Sequence, residues 1–206
     1  MNLPSPAPAW LYLASQSPRR RQLLDQLGVA HRLLLPDAHE DAEGLEAERA
    51  GESPDDYVCR VTLAKYEAAH ARLLGRQAHE GWVLAPVLCA DTTVALGQEI
   101  LGKPRDADDA ARILGLLSGR THRVLTAVVV DGALKVSVSE VSWREVDADE
   151  MARYVDSGEP MGKAGAYAIQ SHAAAWIREI RGSYSGIMGL PLYETAELLK
   201  PRGWRF

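Results

Sequence analysis

The pair Asp131-Gly132 stands between two long segments rich in β-branched residues, 124–130 and 134–143, and constrains the fold more than any other feature. A two-residue Asp-Gly connection suits the tight turn of an antiparallel hairpin, because its backbone twist matches that of the strands it joins. Elsewhere short apolar runs alternate with helical spacing. Leu11-Tyr12-Leu13 reads as a strand, followed by a tight turn and a helix opened by Ser17 and Pro18 and stopped at Gly28. Residues 31–35 read as a second strand, and the acidic, turn-rich stretch 37–56 as mostly exposed loop. Ser53 and Pro54 start a helix whose apolar residues over 57–74 include Val58, Val61, Ala64 and Ala68.

The almost wholly apolar run 83–90 predicts a strand buried on both faces and ended abruptly by Asp91-Thr92-Thr93. A charge at the end of a buried strand is where α/β proteins tend to hold functional groups. Residues 94–101 form a short hairpin around Gly97, and Asp106 caps a helix over 107–117. A short helix over 149–156, a loop-rich 162–170, a strand over 173–180, a glycine-rich 182–189 and a final helix from Pro191 through Leu199 complete the chain. Strands alternating with helices around one long hairpin predict an α/β protein with a mixed sheet and helices on both sides.

At 206 residues the chain can bury a substantial core. Residues 1–9 read as a loose leader and 10–206 as one domain. No apolar run approaches the roughly 20 residues that span a bilayer, and the leader lacks the basic and apolar regions of a signal peptide. Cys59 and Cys89 lie far apart, which fits small buried hydrophobes in a reducing, cytoplasmic compartment. The net charge of −5 argues against sequence-independent nucleic-acid binding.

Function enters through Arg19-Arg20-Arg21, which crowd the first turn of the first helix. Cations there oppose the helix dipole, whereas an anion is attracted by the dipole and the free N–H groups. A bound phosphate chain would screen that cost. Glu40, Lys65, Asp91 and Lys103 fall near predicted element ends. Glu40 and Asp91 can supply oxygens to a hard divalent cation shared with phosphates, and a carboxylate can orient or deprotonate water. Lysines and arginines would offset charge developing on the phosphates. His39 has no partner at HxxxH or HExxH spacing, and GxSxG, GxxxxGK[ST] and GxGxxG are all absent. Zinc sites, serine hydrolases and the familiar nucleotide loops are therefore disfavoured.

Taken together, several segments resemble the Maf family of nucleoside triphosphate pyrophosphatases. They are Leu13-Ala14-Ser15-Gln16-Ser17-Pro18-Arg19-Arg20, Ala90-Asp91-Thr92, Gly102-Lys103-Pro104-Arg105-Asp106, Leu117-Ser118-Gly119, Ser157-Gly158-Glu159-Pro160, Lys163-Ala164-Gly165-Ala166-Tyr167-Ala168-Ile169-Gln170, Gly182-Ser183-Tyr184 and Gly189-Leu190-Pro191-Leu192. The resemblance implies an elongated central sheet, two lobes with a cleft, often a homodimer, and hydrolysis dependent on Mg²⁺ or Mn²⁺ that yields a nucleoside monophosphate and pyrophosphate. It implies that Asp91 accepts a proton from water, and that Ser15, Arg20, Glu40, Lys65 and Lys103 hold the metal–triphosphate unit. It implies that Arg19, Thr92 and Gln170 choose the base.

Gln170 points to the dTTP/UTP branch and a house-cleaning role, since an amide matches the N3–H and carbonyl of a uracil-type ring. Pyrophosphatases for 7-methyl-GTP or ITP, and a regulatory protein that binds nucleotide without turnover, remain the alternatives. Two departures stand out: Ser171-His172 follow Gln170 where the family usually has Gly, and the stretch around Glu40 lacks the paired acidic residues often found there.

Overall fold

The computed structural model describes residues 10–37, 40 and 44–206. The leader and His39 lie outside the described residues. Among the described residues, seven strands form one sheet in the order β2-β1-β3-β5-β6-β7, with β4 paired to β3. They are β1 (Leu11–Leu13), β2 (His31–Leu33), β3 (Val87–Leu96), β4 (Glu99–Leu101), β5 (Thr121–Val130), β6 (Ala133–Trp143) and β7 (Ile177–Arg181). The helices are α1 (Pro18–Gln26), α2 (Pro54–Glu80), α3 (Ala107–Leu117), α4 (Ala148–Asp156), α5 (Tyr184–Met188) and α6 (Leu192–Leu199). Strands β2, β1 and β3 are parallel, as the connection through α1 requires, and β3, β5, β6 and β7 run antiparallel. The sheet is mixed, as the sequence predicts.

The β5–β6 hairpin turns at Asp131 and Gly132 with φ of 46° and 80°, the two positive values that a tight turn of this twist needs. The N-cap side chains of Ser53, Asp106 and Asp147 accept from the N–H three residues on in α2, α3 and α4. Ser17 occupies the N-cap of α1 without a side-chain cap bond, its own N–H instead donating to Ser15 Oγ at 3.1 Å.

Three expectations are corrected. Helix α2 continues through Gly75 to Glu80 and stops at Gly81, whose φ of 72° is left-handed; packing of its buried stripe outweighs one glycine in the interior. Strand β3 starts at Val87 and runs on to Leu96, so Asp91 lies mid-strand. The backbone of Asp91 is held there by its pairing with Ala127 of β5. Last, residues 172–176 form a 3₁₀ turn, and the strand begins only at Ile177.

Period-two alternation along β3 and β5 divides the interior. On one face, Leu88, Ala90, Val128 and Val130 pack with α1 and α6, while Val94 and Val124 pack with α3, Trp143 and Trp176. Thr92 and Thr126, directly paired, separate these two cores. On the opposite face Cys89, Val129, Leu125 and Ala127 lie beneath α2. Burial pushes the Cys89 thiol up to about 12, which makes it an inert packing group.

Candidate active site

The sheet has a gap along one edge of β3. Strand β1 pairs with β3 only at Val87 and Leu88, and β4 joins only at Val94–Leu96. Between them, at the carboxyl end of β1, opens a cavity of about 750 Å³ whose walls include Asp91, Thr92, Lys65, Arg20 and Gln170. Its volume falls within the range of pockets that enclose small-molecule ligands.

Asp91 points to the α2 face and forms an ion pair with Lys65, which also donates to Glu46 Oε1 at 2.7 Å. Lys103, at the turn after β4, donates to both Glu46 oxygens at 2.9 and 2.7 Å. Lys65 lies in the buried stripe of α2 made by Val58, Val61, Ala69 and Leu73. A lysine in that stripe is the periodicity signal that selects it. Burial pushes the Glu46 carboxyl up, but Lys65 and Lys103 outweigh burial and hold it below the usual range, so Glu46 is ionised.

Thr92, one residue along β3, points the opposite way. Arg20 donates to the Gly189 carbonyl at 2.7 Å, to Ser15 Oγ at 3.3 Å and to Thr92 Oγ1 at 3.4 Å. Thr126 donates to the Gly186 carbonyl at 2.7 Å and shares a 3.0 Å bond with Thr92. Burial lowers the Arg20 pKa, and Asp91 opposes that shift; a guanidinium stays charged in proteins. Arg19 reaches the cavity with no hydrogen bond or ion pair to any described residue. Arg21 is exposed, so two of the three arginines face the cavity.

The far wall is the segment 161–170. Its turn at Gly165 donates to the Gly102 carbonyl at 3.1 Å, tying this wall to the Lys103 turn. The Gln170 side chain is exposed and makes no bond to a described residue, which leaves its amide free for a ligand. Gly165 has φ of 70°, and a Cβ there would stand 2.8 Å from the Val94 methyls. Gly165→Ala is expected to cost about 2 kcal/mol through strain and overpacking, read as a lower midpoint in urea unfolding.

Ser15, Arg19, Arg20, Lys65, Asp91, Thr92, Lys103 and Gln170 thus share one cavity. Glu40 also lines it, but Arg72 binds its two oxygens at 2.6 Å each and holds its pKa at about 2. The carboxylate that joins Asp91 is Glu46, which the sequence reading missed. Glu46 stands in a loop with several acidic residues, and no local spacing marks it; only the return of α2 brings Lys65 against it.

These features define a mixed α/β protein whose cavity joins two carboxylates to a set of basic groups, the donor set suited to a phosphorylated ligand and a hard cation. The chain belongs to the Maf family: the family described as Maf-like protein matches residues 10–202. It is 60% identical over 200 residues to the dTTP/UTP pyrophosphatase of Cupriavidus metallidurans, covering 95% of this chain and 98% of that protein. The Cupriavidus pinatubonensis protein of the same name is 58% identical over 201 residues, covering 96% of this chain and 98% of the relative. That of Burkholderia pseudomallei is 56% identical over 202 residues, covering 95% of each. No described helix is long and apolar enough to cross a membrane.

Proposed function

We propose that this protein hydrolyses dTTP and UTP to the monophosphate and pyrophosphate. The observation that carries this reading is one cavity with the Asp91–Lys65–Glu46 cluster and Arg20 at one side and an unpartnered Gln170 amide at another. Uridine triphosphates with modified bases that keep the same ring edge fit the same description. The family resemblance adds two further proposals, a homodimer and a cytoplasmic location.

The residues fit a divalent cation. Asp91 and Glu46 aim hard oxygens at one point, where the Lys65 ammonium now sits between them. Two carboxylates completed by phosphate oxygens are a usual donor set for Mg²⁺. We give Glu46 the role that the sequence assigned to Glu40, because Arg72 already occupies the Glu40 oxygens. When bound, Mg²⁺ or Mn²⁺ would neutralise charge on the triphosphate oxygens.

Asp91 takes the proton of the attacking water as its oxygen bonds to the α-phosphorus. The bond from that phosphorus to the α,β-bridging oxygen breaks, and pyrophosphate leaves. Lys65, Lys103 and Arg20 stabilise the developing charge, with the Ser15 hydroxyl beside Arg20. Arg19, Thr92 and Gln170 meet the nucleoside, and an amide facing N3–H and a carbonyl rejects bases that leave it unpaired.

The test is pyrophosphate release from dTTP, UTP, CTP, dGTP, 7-methyl-GTP and ITP with Mg²⁺, Mn²⁺ or EDTA. Metal-dependent release from dTTP and UTP above the others is expected, and Gln170→Glu is expected to lower kcat/KM for UTP by roughly 10²-fold. Release mainly from a purine keeps the hydrolytic chemistry and overturns the base assignment. Absence of release from every nucleotide overturns the enzyme reading in favour of a nucleotide-binding protein.

A further inference from the structure

The wall that carries Gln170 is held from behind by a pair of hydroxyls, that of buried Tyr154 and that of half-buried Ser171. Residues 168–171 form a turn in which Ser171 donates twice to the Ala168 carbonyl, from N–H at 3.1 Å and from Oγ at 2.9 Å. Gln170 stands inside that turn. Tyr154 Oη lies 3.3 Å from Ser171 Oγ. The two hydroxyls share this bond, and the Glu159 carboxylate is a further hydrogen-bond partner of Tyr154.

Tyr154 is fixed by its surroundings. It projects from α4, is 4% exposed, and meets Trp176 edge-on at 5.0 Å. Trp176 in turn packs edge-on against Trp143 at 5.3 Å. Burial pushes the Tyr154 hydroxyl up, so it remains a protonated donor at neutral pH. Tyr154 is absent from the cavity wall, yet its hydroxyl neighbours the turn of Gln170 and lies near Arg19. It stands behind two of the three groups assigned to the base.

We propose that Tyr154 and Ser171 are positioning residues for base selection, setting where the Gln170 amide meets the pyrimidine edge. The inference rests on the functional reading above and deepens it. With the turn fixed, the amide addresses a uracil edge at one register. With the turn loosened, it can shift to meet a cytosine edge, whose donor and acceptor are exchanged.

The experiment compares kcat and KM for UTP and CTP in the wild type, Tyr154→Phe, Ser171→Ala and Ser171→Thr. It also follows amide hydrogen exchange across residues 168–171 without nucleotide. Tyr154→Phe and Ser171→Ala are expected to lower the UTP-over-CTP preference about three- to tenfold, the scale of one neutral hydrogen bond, with the loss in KM rather than kcat. The Ser171 amide is expected to exchange faster in both, and Ser171→Thr to restore preference and protection. An unchanged UTP-over-CTP ratio in both variants overturns the proposal, even where melting temperature falls. If Tyr154→Phe does not fold, Ser171→Ala and Ser171→Thr decide the matter. If the wild type releases no pyrophosphate, the functional reading fails on its own; unchanged exchange would then overturn the latch, and faster exchange would support it.

Discussion

Asp91→Asn is expected to lower pyrophosphate release by about 10³-fold, the scale of losing a positioned base, while the protein keeps its fold. The side chain is 11% exposed and its pairing with Lys65 sits in the cavity, not in a packed core. Removing one member of a buried ion pair normally leaves a costly unpaired charge. Here Lys65 keeps Glu46 as a second carboxylate partner at 2.7 Å, which limits the penalty. The amide is nearly isosteric, and β3 is held by backbone pairing across Asp91 and Ala127. An amide at this position can accept a hydrogen bond but cannot take a proton from water. The check is steady-state release of pyrophosphate from UTP beside a thermal melt. An activity loss matched by a collapsed melt would assign Asp91 to the fold instead of the chemistry.

Stability is expected to fall as pH drops below about 6.5, by on the order of 3 kcal/mol by about pH 4. The source is His122, 2% exposed, with its pKa pushed down by burial to about 4. Its Nε2 shares a 2.8 Å bond with the Tyr167 hydroxyl, and its Nδ1 has no partner among the described residues. The imidazole stands edge-on to Trp143 and Tyr167, and no described residue there receives a second N–H. The unfolded chain takes up a proton near pH 6.5 and the folded chain only near pH 4. The contribution is therefore complete above about 6.5 and is lost as pH falls through that window. Glu40 behaves as a depressed carboxylate, its contribution lost only between its ordinary range and about 2. Urea unfolding of the wild type and His122→Gln at pH 7.5, 6.0, 5.0 and 4.5 separates the two. The variant is expected to lose the slope between pH 6.5 and 4.5, and parallel slopes would discharge His122 from the role. Because Tyr167 lines the cavity and leads to Gln170, acid loosening at His122 is placed directly behind the base wall.

Most secondary elements were readable because their signals are local. Pro18 after Ser17, the Ser53 and Asp106 caps, and the Asp131-Gly132 turn each act within a few residues. The missed boundaries are those where distant contacts overrule a local signal. Gly75 does not end α2, and Asp91 does not end β3, because each is carried by neighbours far along the chain. In the site, the Ser15–Arg20 segment and Asp91-Thr92 were legible as motifs, and the cavity brings both together.

The mixed α/β class, the long hairpin, and the residue types that a phosphorylated ligand requires are written in local sequence. Tertiary packing chose which acidic residue of the long loop joins Asp91. Glu46 and Lys65 are 19 residues apart and meet because α2 packs back across the sheet. It also decided that Asp91 and Thr92 serve opposite sides of β3, one toward Lys65 and the other toward Arg20. That follows from strand pleating combined with the gap between β1 and β4. Helix caps and tight turns are set by neighbours within a few residues. The position of an ion pair depends on packing across the whole sheet, and no short stretch of sequence contains it.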